Sequence, residues 1–247
     1  MTETWIFPDW PAPPSVYAAA TTRHGPGISM SPYECFNLGL RCGDLTEAVM
    51  ANRGALQQVL ALPTAPRWLH QVHGIGVAEL GPLSTTSEPH ADAAVSRISG
   101  TVLSILTADC LPVLFCAEDG SEIAAAHAGW RGMANGVLEA TISQLVTAPA
   151  RLMAWLGPCI GAASYEVGAE VRAAFIDRHP GAAECFVATR ADHWLCDLAA
   201  LARQRLASAG VGRVYGGGFD TLTDPRFYSY RRDGNASGRL ASLIWLK

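Results

Sequence analysis

The segment from Thr101 to Cys116 is the most apolar in the chain and constrains the fold more than any other. Asp109 and Pro112 interrupt it, so nothing reaches the roughly 18 uncharged apolar residues of a membrane-spanning helix. The near-continuous apolar runs at 101–106 and 152–156 read instead as strands covered on both faces. Further strand-like runs lie at 91–96, 111–116, 122–126, 213–215 and 240–245.

Four stretches carry helical spacing instead. Asp44-Leu-Thr-Glu47 resembles a capping box ahead of Val49, Leu56, Val59 and Leu60. The segment 133–146 places Val137, Leu138, Thr141 and Leu145 on one side. Ser164 is the expected cap of a helix running to about Arg178, and Asp197 caps one that ends at Gly210. Strands and helices mix without regular βαβ alternation, which predicts an α+β fold with mixed β-sheets flanked by helices. No repeat or long linker divides residues 1–247, so one domain is expected, with 81–90 as its clearest loop.

Composition narrows the function. Apolar residues make up 49% and charged ones only 16%, which excludes global disorder. Eighteen basic against 22 acidic side chains give net −4, unsuited to a broad nucleic-acid-binding face. The first residues lack the basic and apolar regions of a secretory signal. The seven cysteines form no C-x-x-C pair. A cytoplasmic protein with reduced thiols, touching neither membrane nor nucleic acid, is expected.

Three segments set reactive side chains beside glycines and turns: Trp68-Leu-His-Gln-Val-His-Gly74, Thr107-Ala-Asp-Cys-Leu-Pro112 and Ala126-His-Ala-Gly-Trp-Arg-Gly132. With 117–120 as the loop of an antiparallel hairpin, Cys110 falls opposite His127, within reach of one ion or of a catalytic pair. Pro112 implies an edge or bulge there, so the register has room to slip. His73 is the natural third ligand, and one thiolate with two imidazoles suits an open, catalytic zinc site. Arg131, entering the helix at 133, is either an anion ligand or a solvent-facing turn residue. Phe227-Tyr-Ser-Tyr-Arg-Arg-Asp-Gly234 is either a stacking and anion-binding edge or an aromatic edge strand followed by a turn. Asn37 and Arg41 join the site only if their loop folds over the metal. Asp109 reads as a strand residue facing away from Cys110, with a structural role. Cys159, His70, His179 and His193 read as structural.

These motifs, with Leu-Gly-Pro-Cys-Ile-Gly at 156–161 and an early Asn-Leu-Gly…Gly-Asp…Asn-Arg pattern over 37–53, resemble the YfiH-like laccase-domain family along nearly the whole chain. The resemblance implies zinc held by His73, Cys110 and His127 in one layered α/β/β/α domain. It also implies a purine nucleoside phosphorylase, acting on adenosine, inosine and methylthioadenosine, with adenosine deaminase activity. Phosphate and purine nucleoside are then the partners, Arg131, Asn37, Arg41 and Arg231 the substrate contacts, and the assembly a monomer or small homo-oligomer. Two further activities come with the family: editing of a peptidoglycan precursor through Cys110 and His127, and copper polyphenol oxidation. Seven histidines without an H-x-H pair provide poorly for a multicopper cluster, although copper could occupy the same three ligands.

Overall fold

In the computed structural model, which describes residues 4–82 and 88–247, the apolar runs become two sheets stacked face to face. Thirteen strands are described: β1 (Trp5–Ile6), β2 (Val16–Thr21), β3 (Val77–Glu79), β4 (Ala93–Ser96), β5 (Val102–Thr107), β6 (Leu111–Ala117), β7 (Ile123–Ala128), β8 (Leu152–Leu156), β9 (Glu166–Gly168), β10 (Phe186–Arg190), β11 (His193–Cys196), β12 (Arg213–Gly216) and β13 (Leu240–Leu246). Six form one sheet in the order β12-β8-β6-β7-β4-β3, and four form a second, β1-β2-β13-β5. A small third sheet, β10-β11-β9, stands beside them. The pairs β12–β8 and β3–β4 are parallel and the other named pairs antiparallel, so the large sheet is mixed.

The helices are α1 (Thr46–Val59), α2 (Trp130–Asn135), α3 (Val137–Ser143), α4 (Ala169–Ile176), α5 (Leu198–Ser208) and α6 (Tyr230–Asp233). One face of the six-stranded sheet, with Val113, Phe115, Ala124, Ala154 and Leu156, packs against α2 to α5 through Met133, Val137, Phe175 and Leu201. Its other face, with Leu114, Ile123, Ala125 and Trp155, packs against Leu103, Ile105 and Ile244 of the second sheet. The far side of that sheet, Val102, Ala241, Leu243 and Trp245, covers Leu56 of α1 and Phe36. The result is the expected α/β/β/α sandwich. Strands β6, β7, β8 and β13 are buried at every position because helices or a sheet cover both faces, which is why their sequences read as continuous apolar runs.

Several local expectations are corrected. Leu45, not Asp44, is the N-cap residue of α1, and the Asp44 carboxylate instead accepts from Ser29 Oγ and Asn37 Nδ2. Val59 is exposed rather than inward. The single helix expected from 133 is two, divided at Gly136, whose φ of +104° continues no right-handed helix. Ser164 caps nothing, because 166–168 is a strand and α4 starts at Ala169. Asp197 does cap α5, accepting from Ala200 N at 2.8 Å. The loop at 81–90 lies partly outside the described residues. Among the described residues, no helix is long and apolar enough to cross a membrane.

Candidate metal centre and pocket

The β6–β7 hairpin carries two of the three expected ligands. Its loop is 118–121, closed by Ala117 N–H donating to Glu122 O, so the register sits two residues from the expected one. Pro112 therefore pairs with His127, and Cys110 lies just before β6. Asp109 is correspondingly no strand residue. Its φ is +83°, and its carboxylate accepts from Thr221 Oγ1 and from the backbone N–H of Arg231, both at 2.6 Å. That left-handed step turns the chain so that Cys110 still meets His127. His73 arrives from the turn ahead of β3, also with a positive φ, +60°.

The ligand atoms of His73, Cys110 and His127 all lie within 4.8 Å of one another, the only such three-residue group among the described residues. Cys110 Sγ and His73 Nε2 are 3.9 Å apart, and the two imidazoles meet edge to face with centroids 4.7 Å apart. Such separations suit one ion with bonds of about 2.0–2.3 Å. His127 is buried and places Nδ1 2.8 Å from Asp92 Oδ1, which leaves Nε2 for an ion. Cys110 is partly accessible and His73 exposed, so the group opens to solvent on one side.

The three side chains also shift one another's protonation. Burial opposes ionisation of the Cys110 thiol, but the charge and hydrogen bond of His127, with His73, outweigh it and bring the pKa down to about 6. Burial likewise opposes charging of His127, yet the Cys110 thiolate and the Asp92 carboxylate raise it to about 9. Both shifts favour a thiolate beside an imidazolium when no ion is bound, and a cation would compete with that imidazolium proton. By contrast, Cys159 is buried 2% exposed in an apolar setting that pushes its thiol far up. His70 stacks on His90 with centroids 4.1 Å apart.

The donor group forms one wall of a cavity of about 610 Å³. Arg41, Arg131, Arg231 and Arg239 reach its lining, together with Trp130, Tyr165 and Tyr230. Arg41 is tied to Glu88 at 2.6 Å. The other three have no carboxylate partner among the described residues. Arg131 lies over the Trp130 ring at 4.4 Å, Arg231 Nη1 donates to Glu166 O, and Arg239 Nη1 donates to the carbonyls of Ser237 and Gly238. Arg131 sits in a six-residue helix, too short to offer a long helix dipole at its start.

Asn37 is fully buried and absent from the cavity wall. It shapes the loop behind, accepting from Gly39 N and Arg239 N and donating to Asp44. The 227–230 segment is no strand: Phe227 and Tyr228 are both buried, Tyr228 O–H donates to Tyr33 O, and half-exposed Tyr230 opens α6. Arg232 turns to the carbonyls of Thr221, Leu222 and Phe227. Sequence reasoning passed over Asp92, Tyr165 and Arg239. The signal for Asp92 was faint, a lone acid at the head of an apolar run.

Fold and site together define a layered α+β protein in which a His–Cys–His donor group opens into an arginine-lined cavity. The chain belongs to the family described as multi-copper polyphenol oxidoreductase laccase, whose model matches residues 17–247. It is 52% identical over 255 residues to a protein of Xylella fastidiosa named purine nucleoside phosphorylase, covering 98% of this chain and 97% of that one. It is 48% identical over 246 residues to the Escherichia coli purine nucleoside phosphorylase YfiH, covering 98% of each. Among solved structures, Neisseria meningitidis protein NMB0706 superposes with a TM-score of 0.94 at 46% identity, over 99% of this chain and all of that one. YlmD from Geobacillus stearothermophilus does so with 0.87 at 28% identity, over 100% and 97% of the two chains.

Proposed function

We propose that this chain is a metal-dependent, cytoplasmic purine nucleoside phosphorylase of adenosine, inosine and methylthioadenosine, with an accompanying adenosine deaminase activity. The observation that carries this reading is one cavity joining the His73–Cys110–His127 group to three guanidiniums that have no carboxylate partner among the described residues. The names of the relatives at 48–52% identity support it. The donor set is borderline-soft and suits zinc, with copper able to take the same three residues. When bound, such an ion supplies Lewis acidity at an open coordination position.

The chain's own residues do the rest. Arg131 and Arg231 hold phosphate by charge-assisted hydrogen bonds, and Arg41 borders the mouth of the site. Tyr230, half-exposed at the rim, offers a face for the purine. Asp109 fixes the backbone of Arg231 and so the position of its side chain. In phosphorolysis a phosphate oxygen forms the bond to the ribose anomeric carbon while the bond to the purine nitrogen breaks, giving free base and ribose 1-phosphate.

A second reading rests on a specific geometry. Cys110, His127 and Asp92 stand in the order nucleophile, base and orienting carboxylate, as a thiol hydrolase editing a peptidoglycan precursor requires. A metal-held thiolate is a poor free nucleophile, so metal content separates the two. The polyphenol oxidase reading ranks third: the described residues gather a single candidate metal group, whereas a multicopper mechanism needs more.

The test is to purify the protein without added metal, quantify zinc and copper, and incubate it with adenosine with and without phosphate. About one zinc per chain is expected, with phosphate-dependent adenine and ribose 1-phosphate that vanish in His73→Ala and Cys110→Ala. A metal-free protein that leaves adenosine intact overturns the reading and directs attention to the thiol hydrolase.

A further inference from the structure

The three donors come from two places far apart in sequence, and one residue outside the donor set touches both. Asp92 sits at the foot of β4, fully buried, and no arginine or lysine pairs with it among the described residues. Its Oδ1 accepts from His127 Nδ1 at 2.8 Å and from the backbone N–H of His73 at 2.9 Å. Its Oδ2 accepts from the N–H groups of Val72 at 3.1 Å and Gly74 at 2.7 Å. Its backbone joins in: Asp92 N–H donates to Gly76 O, and Asp92 O accepts from His127 N.

We propose that Asp92 is the positioning residue of the metal centre, holding both histidines in ligating geometry before an ion arrives. On the His127 side it acts through the ring. A carboxylate on Nδ1 fixes the proton there and points Nε2 at Cys110 and the ion. On the His73 side it acts through the backbone. A non-glycine residue at a φ of +60° is disfavoured, and it persists only where surrounding contacts over-determine it. Three successive N–H groups converging on one carboxylate supply that constraint. A carboxylate buried without a guanidinium or ammonium is costly, and these four hydrogen bonds account for its presence.

The inference rests on the metal reading above, and its test separates the two. Asp92→Asn keeps the size but turns an amide N–H toward groups that are themselves donors. Zinc affinity measured by competition with a chromogenic chelator is expected to fall about 10–100-fold in Asp92→Asn relative to wild type. The cobalt-substituted variant is expected to lose the intense visible bands of a tetrahedral thiolate–imidazole site. In a His127→Ala background, Asp92→Asn is expected to weaken the remaining binding further, because the turn carrying His73 is released as well.

A purely structural Asp92 would change thermal stability and leave the cobalt spectrum alone. Should Asp92→Asn not fold, the wild type still decides. Imidazole nitrogen resonances of the zinc-loaded protein are expected to show His127 protonated at Nδ1 and metal-bound at Nε2. Metal at Nδ1, or wild-type affinity and spectrum in Asp92→Asn, overturns the inference. An additive effect absent from the His127→Ala background removes the His73 half of it. A wild-type protein that binds no metal overturns the underlying metal reading instead.

Discussion

At the scale of single residues, the donor group is set by what is missing as much as by what is present. Gly129 stands between the donors: a Cβ there would lie 2.9 Å from Cys110 Sγ and 3.3 Å from His73 Cδ2. Its own φ of −62° is one any residue adopts, so the glycine is needed for space, not for conformation. Gly129→Ala should therefore spare the fold and push Cys110 and His73 apart. The expected outcome is a loss of zinc affinity of about tenfold or more, the range seen when a metal ligand is misplaced, with little change in the melting temperature of the metal-free protein. Chelator competition and a thermal scan on one preparation check it. The ligands were legible because two histidines beside glycines and a cysteine before a proline mark reactive chemistry, and the family resemblance joins the three into one set. Asp92 was not, because its partner His127 lies 35 residues away and a hydrogen bond of that span leaves no local pattern.

At the scale of elements, the sequence was most informative where burial is complete. Leu152–Leu156 matched its strand to the residue because both faces are covered and every position had to be apolar. Val16–Thr21 gave no such signal: three alanines in its VYAAAT carry helix-leaning propensity, and pairing with β1 and β13 makes it a strand. Strands β10 and β11 left no such run because they are short and mostly not fully buried. The two-residue register slip in the β6–β7 hairpin arose because turn residues mark a loop without fixing which of them close it. That hairpin is also tied to the segment after α3 through Glu122, a 2% exposed residue at the start of β7. Its carboxylate accepts from the N–H groups of Val146 and Thr147 and from Arg97 Nε. Burial opposes its ionisation, but these donors outweigh burial and lower its pKa. A folded-state pKa below the unfolded one adds stability that is fully present above the unfolded value. That stability is lost as pH falls through the folded value. Glu122→Gln should cost about 1–3 kcal/mol at pH 7, and the gap to wild type should close in acid below the ordinary carboxylate range. Urea denaturation of both proteins from pH 7 down to pH 3 reads the difference, and a gap that widens in acid would contradict it.

Across the whole molecule, the cavity lies where segments from seven parts of the chain converge, from Gly39–Arg41 near the start to Arg239 near the end. Such a site emerges only when the two sheets stack, which is why the layered fold was readable and the full set of cavity residues was not. Arg239 looked like a residue outside any motif, yet Asn37 accepts from its backbone N–H and places its side chain on the wall. The convergence also separates two tasks that one substitution can split. Arg231 lines the cavity through its side chain, while its backbone N–H, untouched by substitution, secures Asp109. Arg231→Ala should therefore leave the Cys110 turn and the metal content unchanged and remove one charged donor from the anion site. A charge-assisted hydrogen bond of about 1.5–3 kcal/mol corresponds to a rise of roughly tenfold to a hundredfold in the phosphate KM. The adenosine KM should move by less than about threefold, because a neutral nucleoside gains little from a guanidinium. Initial rates across a grid of phosphate and adenosine concentrations measure both. Equal rises in the two constants would place Arg231 on the nucleoside, and no rise in either would move the phosphate to Arg131 and Arg239, across the same cavity.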